Sequence, residues 1–202
     1  MAEGLIRLKT KIKRIALILG YDIGNGHISR VRINRPSGIF VKELFGNKPL
    51  VGAEVGVYSG ENSENLVQNI NFSKFYAIDS WVPWEGSKRQ LKEFKMAERL
   101  TRKRLSKYGK KCVIIKKKSD DAVKDILEKL DFVYIDGDHD YLPVKKDIEL
   151  YYKLLKKGGV IAGHDINNGL QENGVAKAVS EFSIKNNLDL RVQAPDWWIV
   201  KK

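Results

Sequence analysis

The sequence predicts an α/β fold: a doubly wound, mainly parallel, seven-stranded sheet ending in an antiparallel hairpin, preceded by a short N-terminal arm. Three observations point there. From Leu50 onward, short apolar runs rich in β-branched residues alternate with longer stretches whose apolar residues recur at helical spacing. The last two strand-like runs, "LDLRVQ" and "DWWIVKK", are joined by little more than Ala194 and Pro195. That link is too short for a parallel crossover, so the final strand must be antiparallel. Acids, glycines and histidines gather where the apolar runs end, and the ends of the strands are where such sheets bind ligands.

Taken in order, residues 1–48 read as a β-rich arm or cap: "RIALIL", a polar turn "GYDIGNGH", "ISRVRI", the breaker "NRPSG", and a strand "IFVKELF". Residues 49–202 form the main domain. "LVGAEVGVY" is a buried strand, and "SGENSENLVQNI" a helix with Ser and Asn as cap candidates. "KFYAID" is the second strand. The stretch from Trp84 to Gly109 is a helix with Leu91, Phe94, Ala97, Thr101, Leu105 and Tyr108 near one face. "KCVIIKK" is the third strand, and "SDDAVKDILEKL" a helix that Ser119 or Asp120 could cap. "DFVYID" is the fourth strand. "YLPVKKDIELYYKLLKKGG" is a helix with Pro143 in its first turn and Gly158 at its end. "GVIAGHD" is the fifth strand, "NGVAKAVSEFSIKNN" the last helix, and the hairpin closes the chain. Trp197 and Trp198, adjacent in the final strand, face opposite sides, one toward the core and one toward an interface.

Composition narrows the class. The chain has 202 residues, 43% hydrophobic and 31% charged, which suits one soluble domain with a full core. No apolar run approaches the roughly 20 residues of a membrane span. The early run after "KIKR" lacks a small-residue cleavage site, so no signal peptide is expected. One cysteine, Cys112, excludes an internal disulfide and a multi-cysteine zinc site, and fits a reducing, cytoplasmic location. The net charge is +12, and residues 86–118 alone hold 14 Lys/Arg against 2 acids. That segment reads either as a solvated lysine-rich surface or as a patch for an anionic partner such as RNA.

The strand ends carry the chemistry. Glu54, Gly56 and Gly60 form a glycine loop after the first strand, with a carboxylate where a pyrophosphate would be repelled, so a ligand with a cationic group is favoured. A tight strand-to-helix turn explains the same glycines. Asp79, ending the second strand 19 residues after Gly60, is placed to accept two ribose hydroxyls, or to serve as a turn aspartate. Ser119 and Asp120 either cap a helix or meet an adenine. "IDGDHD" ends the fourth strand and His164-Asp165 the fifth. Such oxygen-rich ends suit Mg²⁺, Ca²⁺ or Mn²⁺, with histidine favouring a transition metal, or else form a polar cluster satisfied by helix N-termini and by Lys145 or Lys146. Trp81 and Trp84 could wall an acceptor site.

With these residues in view, "VGAEVGVYSGENS", "FYAIDSW", "DFVYIDGDHDYLPVKKDIELYYKLLKKGGVIAGHDI" and "GVAKAVSEF" resemble the Rossmann-like class I S-adenosylmethionine-dependent methyltransferases. The branch they resemble contains cephalosporin-hydroxylase-like proteins and macrolide and aminocoumarin sugar O-methyltransferases. The resemblance covers about residues 50–200 and leaves the arm unmatched. It implies that Glu54, Gly56 and Gly60 line the methionine part of S-adenosylmethionine, Asp79 holds the ribose, Ser119 and Asp120 lie at the adenine, and Asp136 faces the cofactor. It also implies a divalent metal such as Mg²⁺ on Asp136, His164 and Asp165, although metal-dependent relatives carry an acid at the position of His164. Asp138, or His139 beside it, would take the proton from the acceptor.

The resulting expectation is O-methylation of a small-molecule or sugar hydroxyl, with no membrane partner and with the exposed edge of the hairpin as a contact for a homo-oligomer. A nucleic-acid methyltransferase using residues 86–118 is the alternative enzyme. It lacks an amide-and-aromatic base pocket of the "NPPY" kind and an appended RNA-binding module. A non-catalytic binding module on the same fold is the third reading.

Overall fold

The computed structural model describes residues 35–83, 90–167 and 174–202, and the backbone of 21–24 and 27–30. Contacts divide the chain into two units, 1–34 and 35–202. In the first, β1 (Tyr21–Gly24) and β2 (His27–Arg30) pair antiparallel, Tyr21 opposite Arg30 and Gly24 opposite His27. The stretch expected as a polar turn therefore contributes strand residues on both sides. "RIALIL" lies outside the described residues.

The second unit opens with a correction. "IFVKELF", expected as a strand, lies in helix α1 (Pro36–Phe45). Pro36 does not break the chain here. It occupies the first turn, where its fixed φ suits a helix and its missing N–H costs nothing. Ser37, Gly38 and Val41 form the buried face, and the Phe40 ring lies 5.4 Å from that of Trp198. Gly46, at φ 57°, ends the helix with its N–H on the Lys42 carbonyl.

Seven strands follow: β3 (Leu50–Val55), β4 (Phe72–Asp79), β5 (Cys112–Lys116), β6 (Leu130–Ile135), β7 (Leu155–Gly163), β8 (Leu190–Gln193) and β9 (Asp196–Val200). Their order across the sheet is β5-β4-β3-β6-β7-β9-β8. All neighbours pair parallel except around β9, which is antiparallel to both β7 and β8, as the short link requires. From β3 the chain first winds outward through β4 and β5, then returns to β6 on the other side. The strand order thus reverses between β3 and β6, where the C-terminal ends open a crevice.

The helices between them are α2 (Glu61–Asn69), α3 (Leu91–Ser106), α4 (Ser119–Ala122), α5 (Tyr141–Leu154) and α6 (Gly174–Lys185). Strand alternation sends Ala53, Val55, Val133, Ile135, Ile161, Trp197 and Ile199 into one core with Val144, Ile148 and Tyr151 of α5 and Ala178, Val179 and Phe182 of α6. Phe72, Phe75 and Phe132 pack together elsewhere, with Phe72 lying on Gly52. Tyr134 continues this ring row.

Two helices are shorter than periodicity predicts. α4 stops at Ala122 and passes through a 3-10 turn, Val123–Asp125. Leu127, which would extend its apolar stripe, is 88% exposed and has nothing to pack on. Lys118, not Ser119 or Asp120, occupies the N-cap. α5 ends at Leu154, and "LKKGG" already belongs to β7, where Gly158 adopts φ 74° and its N–H meets the Lys201 carbonyl. Trp197 and Trp198 do face opposite ways, but α1 covers Trp198, so both are buried within the chain. Among the described residues no helix is long and apolar enough to cross a membrane.

Candidate active site

β3 and β4 build the first half of the crevice. Glu54 sits in the sheet between Ala77 and Tyr134 and is 1% exposed. Its carboxylate accepts from Asn62 Nδ2 (2.8 Å) and from the Ser63 hydroxyl, both on α2. Burial pushes its pKa up to about 7, against the pull of those bonds. The loop leaving β3 turns at Gly56 (φ 89°) and Gly60 (φ 77°). A Cβ on Gly56 would lie 2.1 Å from the Asp136 carbonyl oxygen, and one on Gly60 would lie 3.0 Å from Thr101 of α3. Close approach of other chain segments is thus enough to require both glycines.

Asp79 ends β4 and accepts the Tyr58 N–H (2.8 Å) on one oxygen and the Trp81 N–H (2.7 Å) on the other. Burial still raises its pKa, with those backbone bonds opposing. The Ser80 N–H is a third backbone donor to this carboxylate. Trp81 is 2% exposed and its Nε1 donates to the Tyr58 carbonyl at 2.7 Å, so it holds the glycine loop and does not wall an acceptor site. Trp84 lies outside the described residues. Ser119 and Asp120 are tied to α5: Tyr151 donates to the Ser119 carbonyl (2.9 Å), and Lys146 reaches Asp120 at 2.5 Å and holds its pKa below the usual range.

β6 and β7 build the second half. The Asp136 N–H bonds to the Val55 carbonyl (2.8 Å) and the His164 N–H to the Ile135 carbonyl (3.2 Å), so pairing of the strands carries both residues to the rim. His139 Nε2 lies 3.0 Å from one oxygen of Asp165, and His164 Nδ1 lies 2.9 Å from the other. His164 Nδ1 is 4.0 Å from Asp136. One ligand atom each from Asp136, His139 and Asp165 fall within 4.8 Å of one another. The sequence paired Asp136 with His164 and Asp165 for a metal. The geometry gathers His139 into that group and sets His164 beside Asp165. Burial, followed by the charge of Glu54, pushes Asp136 up to about 8. Lys146 is engaged with Asp120 and Lys145 with Tyr141 and Glu181, so the lysines offered as neutralisers of the cluster are spent elsewhere.

Asp138 lies in the open cleft beside this group, exposed, and one of its oxygens accepts the Asp140 N–H at 3.0 Å. The cleft is lined by Asp136, Asp138, His139, His164, Asp165 and Trp197, together with the apolar Ile135, Val144 and Val175.

Sequence reading missed several residues here. Asp147 of α5 is buried, accepts from Ser119, and is pushed up to about 6 by burial. Asp196, fully buried at the start of β9, accepts from Ser37 and from Tyr134. Arg35 stands 3.8 Å from Asp196. Asp147 carried a faint signal, an acid on the apolar face of a helix. The others join segments remote in sequence.

A doubly wound sheet with acids gathered at its reversal of strand order defines a Rossmann-like domain. The chain belongs to the methyltransferase-domain family, which matches residues 53–166. The uncharacterized protein R132 of Acanthamoeba polyphaga mimivirus is 30% identical over an alignment of 143 residues that covers 68% of this chain and 61% of that protein. The chain thus spans less than two thirds of that relative. Among solved structures, an rRNA methylase from Streptococcus thermophilus superposes with a TM-score of 0.58 at 18% identity, over 85% of this chain and 100% of that one. The O-methyltransferase NovP does so at 0.60 and 15%, over 82% and 79%. CalS11, a calicheamicin methyltransferase, gives 0.61 and 14%, over 81% and 77%. At such identities the likeness is one of fold.

Proposed function

We propose that this chain transfers a methyl group from S-adenosylmethionine to a hydroxyl of a small molecule or sugar. The observation that carries the reading is the convergence of Asp136, Asp138 and the His139–Asp165–His164 cluster on one cleft at the reversal of strand order, with Glu54 buried close enough for its charge to raise the Asp136 pKa. The donor supplies a methyl group on a cationic sulfur. The chain's residues must bind that cation, align the acceptor and remove its proton.

Glu54 and Asp136, which burial pushes up to about 7 and about 8, ionise against an arriving cation, and in that buried setting the charges interact strongly with it. Gly56, Gly60 and Asp79 shape the donor's path, Asp79 toward its ribose, with Ser119 and Asp120 at the adenine end. Asp165 fixes the His139 ring, so the half-exposed imidazole is held at the mouth of the cleft to take the proton, with Asp138 beside it. Two carboxylates and an imidazole also fit a divalent metal. Asp136, His139 and Asp165 would hold it, its chemistry would be to acidify the acceptor hydroxyl, and with His139 a ligand Asp138 would be the group that takes the proton.

Isothermal titration with S-adenosylmethionine and S-adenosylhomocysteine, with and without Mg²⁺, tests the reading. Binding of both is expected, and absence of binding by either overturns it. Glu54 adds a pH signature. Its stabilising neutral form is fully present below the unfolded value of 4.5, and that stability is lost as pH rises through about 7. A cation binds the ionised form, so affinity for S-adenosylmethionine should climb several-fold between about pH 6 and 7.5. Asp136, pushed up to about 8, ionises over the upper part of the same range, so Glu54→Gln should flatten only the lower part, between about pH 6 and 7, and an unchanged slope there would remove Glu54 from the donor site.

An RNA acceptor is the second reading, favoured by the basic surface of α3. Part of that charge is internal: Arg104 and Lys107 bind Glu64, while Arg102 and Lys116 bind Glu98. RNA affinity that falls steeply with salt would support it.

A further inference from the structure

The donor's amino-acid end carries a carboxylate as well as an ammonium. Glu54 and Asp136 suit the ammonium and the sulfonium, but two buried acids repel a third. A donor entering this crevice therefore needs a fixed cation beside them.

Resting on the methyltransferase reading, we infer that Arg35 is that cation and that its guanidinium receives the donor's carboxylate. Arg35 precedes Pro36, which holds its backbone extended (φ −86°, ψ 117°) and places the residue at the cap of α1. Its Cζ stands 6.0 Å from the centre of the Tyr134 ring, and Tyr134 is the register neighbour of Glu54 on β6. Its charge is felt at both Glu54 and Asp136, where it opposes the upward push of burial.

Pairing with Asp196 does not exhaust it. One Asp196 oxygen accepts the Ser37 N–H (3.2 Å) and hydroxyl (2.5 Å), and the other accepts the Tyr134 hydroxyl (2.9 Å). Arg35 Nη1 stays 3.8 Å away, beyond hydrogen-bond reach. Among the described residues, Asp196 therefore orients the guanidinium by charge and nothing takes up its donor fork. At 23% exposure the side chain is sheltered yet open to a ligand. Arginine suits this task because its planar fork matches a carboxylate on two bonds.

The test compares S-adenosylhomocysteine with its decarboxylated analogue, 5′-deoxy-5′-(3-aminopropylthio)adenosine, by isothermal titration on wild-type protein, Arg35→Met and Arg35→Lys. Arg35→Met should weaken S-adenosylhomocysteine about 10- to 100-fold and leave the analogue unchanged. Arg35→Lys, which keeps the charge without the fork, should recover part of the loss and keeps the test open should the methionine variant misfold. Equal weakening of both ligands overturns the inference in favour of a structural counter-ion to Asp196. Unchanged binding of S-adenosylhomocysteine by both variants overturns it as well. Wild-type protein that binds neither ligand overturns the donor reading itself, a result distinct from either.

Discussion

Asp136→Asn should lower turnover by about 10²- to 10⁴-fold, the range spanned by removal of a charged group that acts at the reacting centre. The substitution keeps the shape of the side chain and removes only its charge. That charge stands across from Glu54 and within reach of His139 and Asp165, so the donor cation and any metal lose the same partner. Unfolding should not confuse the result. The folded protein raises the Asp136 pKa from 3.8 to about 8, so the stability of its neutral form is complete below 3.8 and drains away as pH rises toward 8. Asparagine never ionises. The variant should therefore be as stable as wild type near pH 4 and more stable near pH 8, by an amount on the order of a few kcal/mol and with a correspondingly higher melting temperature. Full activity in the variant would take Asp136 out of the mechanism. A variant less stable than wild type at pH 8 would show that its charge is compensated in the free protein.

The pairing of Asp136 with His164-Asp165 was legible because it depends on strand order alone. Once β6 and β7 are neighbours, with Ile135 opposite Gly163, the residues that follow must meet. The entry of His139 was not legible. It follows Gly137 in a loop whose path depends on how α5 docks, and no periodicity encodes that. The same division runs through the fold. Strands buried on both faces announce themselves as apolar runs, and six of the seven strands of the main sheet begin within a residue or two of where those runs place them. β7 is the exception, because "LLKKGG" continues a helical pattern that the sheet claims from Leu155 onward.

Arg35, Ser37 and Asp196 mark where the sequence falls silent. Ser37 and Asp196 are 159 residues apart, and a buried carboxylate at the head of the last strand has no local reason to be there. α1 was mistaken for a strand on the same account. "IFVKELF" is too short to show its period, and what makes it a helix is Trp198, the far-off surface it covers. Asp196, Arg35 and Tyr134 fix this helix to the side of the sheet on which Glu54 points, which brings a residue from the supposed arm to the candidate donor site.

Gly56→Ala should be the most damaging single-methyl change in the glycine loop. Its Cβ would sit 2.1 Å from the Asp136 carbonyl oxygen and 2.5 Å from Gly137 Cα, both backbone atoms that no side-chain rotation can clear. The φ of 89° adds strain for any residue with a Cβ. Relief requires the ends of β3 and β6 to part, which would break the bond from the Asp136 N–H to the Val55 carbonyl. A cost of about 3–5 kcal/mol is expected, equivalent to a fall in melting temperature on the order of 10 °C for a chain of this length. Gly46→Ala is the control. It has a positive φ of 57° but nothing within 4 Å of the added carbon, so only backbone strain of about 1–3 kcal/mol should register. Because the clash falls on Asp136, a surviving fraction of folded Gly56→Ala should also bind S-adenosylmethionine poorly, whereas Gly46→Ala should bind as wild type. Equal melting temperatures for the two variants would mean that the β3 and β6 ends yield easily, and the tight junction that positions Asp136 would not exist.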